Sequence, residues 1–112
     1  MNETFFVSLD INGAANAIYE AVTAGSMTGE MIDSYQIQAQ CGACIVQVFE
    51  KHYMRAGNRL TLTAVLDSFT GATRVHCVSG GGGEGLFGFD WGAADSFTGS
   101  VISALEPYMI SK

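Results

Sequence analysis

Two stretches of this chain combine residue types and spacing that could do chemistry. Cys41-Gly-Ala-Cys44 sets two thiols three positions apart, the spacing of thioredoxin-type redox pairs and of half a zinc site. Residues Ser79 to Gly92 read Ser-Gly-Gly-Gly-Gly-Glu-Gly-Leu-Phe-Gly-Phe-Asp-Trp-Gly. Within them Gly80, Gly82 and Gly85 satisfy GxGxxG, with which backbone N–H groups cradle a phosphate at the start of a helix.

Each motif lacks the context its chemistry needs. A redox cysteine pair draws its thiolate from a helix N-terminus, but Ile45-Val46-Gln47-Val48 after the pair reads as strand. Tetrahedral zinc wants four ligands, and beyond Cys41 and Cys44 only Cys77, His52 and His76 remain. A meander is expected to put Cys77 at the sheet end opposite the hairpin carrying the pair, and adjacent His76 and Cys77 point to opposite faces. No metal site within one chain and no cofactor are therefore expected. Cys41 and Cys44 are the metal candidates if a second subunit completes a site; otherwise they read as small apolar residues packed at a turn. After Gly85 the run Leu86-Phe87-Gly88-Phe89 alternates as extended chain, helical periodicity starts near Ala93, and no Gly-Lys-Ser/Thr follows. Nucleotide binding is disfavoured, and the run reads as a loop between sheet and helix. Were a small molecule to bind there, Gly80, Gly81, Gly82, Gly83 and Trp91 would touch it. The plainer roles are Asp90 capping the helix and Trp91 anchoring the crossing. No residue in the sequence brings His52 or His76 near a nucleophile, so no catalytic residue is assigned. Arg55 and Arg59 flank a turn and read as solvated.

Composition narrows the partners. The 112 residues carry eleven acidic and five basic side chains, a net charge of −6, which repels phosphate backbones and anionic membranes. Only 14% are charged and 48% are hydrophobic, against about 25% charged in typical domains. Some apolar surface must stay exposed, and self-association as a homodimer is expected. No run approaches the ~18 apolar residues of a membrane span. The opening residues lack the basic region of a secretory signal, and three cysteines are an odd number, so a reducing cytoplasm is expected.

These residues must be positioned by a modest set of elements. Phe5, Val7 and Leu9 alternate with Thr4, Phe6 and Ser8 and predict a strand near residues 3–9. Asn12 reads as the N-cap of a helix to about Ala24, with Ala14, Ile18 and Val22 on one face. Tyr35, Ile37 and Ala39 alternate with Gln36, Gln38 and Gln40, as on a strand with one wet face. Ile45 to Tyr53 is a further strand, apolar on both faces, so its inner side stays open. Leu60, Leu62, Ala64 and Leu66 alternate with Thr61, Thr63 and Val65, and Thr73 to Ser79 completes a meander. Ala94, Phe97, Val101, Leu105 and Tyr108 share a helical stripe, with Pro107 kinking or closing its last turn. The prediction is one α+β domain over residues 1–112, in the order β-α-β-β-β-β-α. It is an antiparallel sheet with both helices on one face. The other face is displayed, with Gln36, Gln38, Gln40, Thr61 and Thr63 on it, beside Phe49 or Val65, and suits pairing with a second copy.

Cys44 to Tyr53, the segment Gly57-Asn58-Arg59-Leu60-Thr61-Leu62, and Ser79-Gly80-Gly81 before the closing helix together resemble a family of small bacterial proteins of unknown function. The resemblance runs from about Gln38 to Tyr108 and implies a bacterial cytoplasmic setting. It supplies no catalytic residue, and the glycine run here is longer than in that family. The element order is also similar to the fold of TATA-box-binding proteins and, more loosely, to helix-grip ligand carriers, a likeness of shape that does not carry activity. The functional expectation is a non-enzymatic interaction or small-ligand-binding domain that self-associates. The alternative is a thiol-redox or metal-binding protein using Cys41 and Cys44. A third possibility is a ligand cavity between sheet and helices, gated by the glycine loop.

Overall fold

The computed structural model describes residues 2–24, 28–53, 58–82 and 91–111. Its elements follow the predicted order: β1 (Asn2–Val7), α1 (Ile11–Thr23), β2 (Glu30–Ala39), β3 (Gly42–Tyr53), β4 (Asn58–Asp67), β5 (Thr73–Gly82) and α2 (Trp91–Leu105), with a short β6 (Met109–Ile110) at the end. The sheet is antiparallel throughout and open, in the order β2-β3-β4-β5-β1-β6. The meander predicted from the sequence forms its body, and β1 closes against the last meander strand.

Alternation along β4 decides where the core lies. Leu60, Leu62, Ala64 and Leu66 are all buried, while the intervening Thr61, Thr63 and Val65 are half-buried on the opposite face. Residues directly opposite on neighbouring strands share a face, so the β4 pattern extends to Ala43, Ile45, Gln47 and Phe49 of β3 and to Val75 and Cys77 of β5. Ile18 and Val22 of α1 and Phe97, Val101 and Leu105 of α2 bury this face. Alanines at 14 and 15 let α1 approach closely, and Gln47 Nε2 donates to the Ala15 carbonyl across that gap at 3.1 Å. Phe49, expected among residues beside the displayed face, is fully buried in the core.

Three boundaries differ from the sequence reading. Asp10, not Asn12, caps α1: its Oδ1 accepts from the Gly13 N–H at 3.1 Å, and Asn12 is already helical. Aspartate and asparagine are comparable caps, so residue type could not separate two candidates two positions apart. Pro107 closes α2, which ends at Leu105; a single 3-10 turn over Glu106–Tyr108 leads into β6. Tyr108, read as the last member of the helical stripe, is therefore exposed beyond the helix.

The glycine run is the third. Gly80, Gly81 and Gly82 do not form a loop but extend β5, paired with Thr61, Leu60 and Arg59. Gly81 has φ +99°, and a Cβ built there would lie 2.6 Å from the Arg59 carbonyl oxygen. Both the dihedral and the close approach require glycine. Gly81→Ala is expected to cost about 2 kcal/mol or more, since backbone strain of this kind alone costs ~1–3. Urea unfolding reads it, and Gly71→Ala is the control: φ there is +93° but no atom lies within 4 Å, so only the dihedral strain should appear.

Candidate functional site

The chemistry-bearing residues are scattered by this fold. Cys41 lies with Gln40 at the exposed tip of the β2–β3 hairpin, closed by the Ala39–Gly42 pair, and Cys44 stands half-buried on β3. Strand follows, so the pair has no helix terminus. Cys77 pairs in the row of Gln47 and Ala64, three positions from the row of Cys44. That corrects the expectation that it lies at the far end of the sheet: glycine extends β5, which moves Cys77 to mid-strand. It nevertheless faces the helices, whereas Cys44 faces away. His76, on the same face as Cys44, shares a 2.7 Å hydrogen bond with the Thr4 hydroxyl. His52 lies at the other end of that face, its Nε2 3.6 Å from Glu50 Oε1, which Arg59 Nε also approaches at 3.6 Å. Among the described residues no three His, Cys, Asp or Glu side chains gather as a metal site.

Burial makes Cys77 inert. Loss of solvent pushes its thiol up to about 12, with the negative charge of Glu3 adding to the shift. Alkylation of the folded protein at pH 8 is expected to modify Cys41 first and Cys44 more slowly, with Cys77 reacting only on unfolding. Because the folded state holds this proton more tightly than the unfolded chain, stability falls as pH rises above about 8.5, the ordinary thiol value. The fall continues to about 12, at up to ~1.4 kcal/mol per pH unit. Cys77→Ala should flatten that slope in unfolding measurements made across the range.

Of the glycine-loop candidates, Gly80, Gly81 and Gly82 are strand residues. Gly83 lies outside the described residues, and Trp91 is known only as the first residue of α2. A cleft of about 430 Å3 is found at the opposite end of the sheet, between the close of β1, the start of α1 and the β4–β5 turn, lined among others by Val7, Leu9, Asp10, Ile11, Thr73 and Ile110. It is not the cavity imagined between sheet and helices with the glycine run as its gate. Its polar groups are largely engaged: the Thr73 hydroxyl donates to the Leu9 carbonyl at 2.7 Å, and Asp10 caps α1. The carboxylate also opposes any anion drawn to that helix terminus.

What the fold does assemble is the sheet face away from the helices. Register places Tyr35 opposite Val46, Ile37 opposite Cys44, Val46 opposite Val65, and Val65 opposite His76. Asp33, Val48, Thr63 and Val78 form the next row, and Phe6 and Ile110 continue the face at the β1 side. Tyr35 is 60% exposed, Ile37 46%, Ile110 42% and Val78 41%. Arg74 is held by Asp67 through two hydrogen bonds of 2.8 and 3.2 Å, and that contact holds the guanidinium above its ordinary value.

Thr61 and Thr63 are on this face as expected; Gln36 and Gln38 are not. They pair with Ile45 and Ala43 and so stand on the helix side, beyond the helices, where all of β2 is exposed. The Tyr/Gln alternation was legible, but which set faced the helices was not, because an edge strand outside the helical layer buries neither.

Among the described residues no helix is long and apolar enough to cross a membrane. No curated protein and no solved structure matches the chain. A family model matches residues 3–109, all but the first residue of β1 and the last of β6, and on that match the chain belongs to the family of unknown function DUF6054.

Proposed function

We propose that this domain is a non-enzymatic interaction module that forms a homodimer face to face through the open side of its sheet, in the bacterial cytoplasm. The observation carrying the proposal is the exposed apolar band of Tyr35, Ile37 and Val78 around half-buried Val46, Val48 and Val65. Exposed apolar surface of this extent marks interaction sites. Four strands of ten to twelve residues, plus β1, make a face of about 800 Å2 at ~4.8 Å between strands and ~3.3 Å per residue. Each partner buries about that area in a standard specific interface.

Charge on the face is arranged to tolerate a like copy. Arg74 meets Asp67, and Glu50 lies beside Arg59 and His52, so two of the face's carboxylates are balanced locally. Asp33, opposite Val48, stands on the edge strand and not at the centre of the face. The three free thiols, one of them sealed in the core, fit a reducing compartment. With no cluster of metal ligands among the described residues, thiol or metal chemistry at Cys41 and Cys44 is the less favoured reading. Native mass spectrometry and sedimentation equilibrium at micromolar concentration are expected to show a dimer or an assembly of dimers; a monomer throughout would overturn the proposal.

A further inference from the structure

β2 forms one edge of the sheet, and among the described residues β3 is the strand it pairs with. The other edge is blunted by a two-residue strand, whereas β2 runs for ten residues, every one exposed. Its outer side presents a row of backbone N–H and C=O groups, a template for another strand. Natural edges are usually protected by charge, proline or a bulge. Here those devices sit only at the beginning, in Glu30, Asp33 and the irregularity between Met31 and Asp33. Ser34-Tyr-Gln-Ile-Gln-Ala39 carries no charge and no proline.

We propose that β2 pairs antiparallel with β2 of a second copy, in the register centred on Gln36, so that two six-stranded sheets become one. A two-fold axis normal to the sheet lets each face continue across the junction, and only alternate registers satisfy it. Centring on Gln36 sets Tyr35 against Ile37 of the second copy, and Ile37 against its Tyr35, giving two aromatic to β-branched pairs, a favourable cross-strand combination. On the other side Gln36 meets its own mate and Gln38 meets Ser34, all of them neutral groups that can both donate and accept. Gln36 Nε2 already donates to Gln38 Oε1 at 3.4 Å within the strand. Asp33 falls opposite Ala39, and Glu30 lies past the end of the ladder, so no carboxylates face each other. Centring on Tyr35 would instead drive Asp33 against Ile37, and centring on Ile37 would leave Tyr35 opposite Ala39. An extended peptide from another protein would obtain the backbone ladder but would meet no charge along Ser34–Ala39 to select it. This contact lies at the sheet edge and goes beyond the face-to-face reading; the two are compatible in one assembly.

The test uses the full chain with Cys41→Ser and Cys44→Ser, which removes the exposed and half-buried thiols and leaves the buried one. Gln36→Cys and Gln38→Cys are compared after treatment with oxidised glutathione, and separately with dibromobimane, which bridges neighbouring thiols. In the proposed register residue 36 lies beside its mate, whereas residue 38 is about 14 Å from its own, beyond the ~7 Å a disulfide spans. The Gln36→Cys protein is expected to yield at least ~10 times more covalent dimer on a non-reducing gel. Equal linkage of both variants, or none, would overturn the proposal, as would a peptide-binding monomer. Adding Val46→Lys separates the two interfaces. Linkage that survives it belongs to the edge, while a dimer lost with Val46→Lys and never linked through position 36 leaves only the face.

Discussion

Val46→Lys is expected to leave the sheet intact and break the face-to-face contact, raising its dissociation constant on the order of a hundredfold or more and leaving association only through the β2 edge. Val46 lies between Tyr35 and Val65 at the middle of the open face. A two-fold contact would bury the new ammonium twice, with Asp33 one row along on the edge strand as the carboxylate left to offset it, since Asp67 is held by Arg74. An uncompensated buried charge costs ~3 kcal/mol or more, and each 1.4 kcal/mol is about tenfold in affinity. The sign of the charge sharpens the test. The chain carries −6, so lysine lowers the general repulsion between copies, and any weakening must come from local desolvation. Sedimentation equilibrium reads the dissociation, with circular dichroism as the check on folding. An unchanged dimer would remove the face as the interface.

Phe49→Ala should produce the largest loss of stability of any single change discussed here, about 3–5 kcal/mol, from lost transfer energy and the cavity left behind. Phe49 is fully buried in the cluster with Ile45, Leu62 and Phe97. A small domain holds only about 5–15 kcal/mol in total, so the urea midpoint should fall by about a fifth or more. The adjacent Val48→Ala, on the open face, should cost ~1 kcal/mol or less. Both are best measured with Val46→Lys present, where dimer linkage does not add to apparent stability. A larger loss at 48 than at 49 would reverse the assignment of the two faces of β3.

That assignment shows where legibility in the sequence stops. The 60–66 alternation named the inner face of β4 correctly, because leucine and threonine differ enough in transfer energy to leave one answer. On β3 the same reasoning fails. Gln47 is buried, with its Nε2 on the Ala15 carbonyl and its Oε1 unpartnered among the described residues, while Val46 and Val48 face outward. A polar residue inside and valines outside erase the pattern. The register against β4 restores it, since one residue of slip exchanges all side chains between faces.

The candidate sites divide in the same way. The absence of a helix after Cys41-Gly-Ala-Cys44 could be read from β-branched residues alone; the extended reading of Leu86–Phe89 lies outside the described residues. That Gly80, Gly81 and Gly82 are strand residues could not be read, because glycine has no side chain to show a period, and its place follows from Leu60 and Arg59 across the ladder. By itself the sequence determined the element types, their order and the surplus of apolar residues, all of which depend on local periodicity and composition. Only the tertiary structure decided which residues display that surplus. Tyr35, Ile37 and Val78 are exposed because the strand register sets them on the face that the helices leave uncovered, and that register arises from pairing between segments distant in the chain.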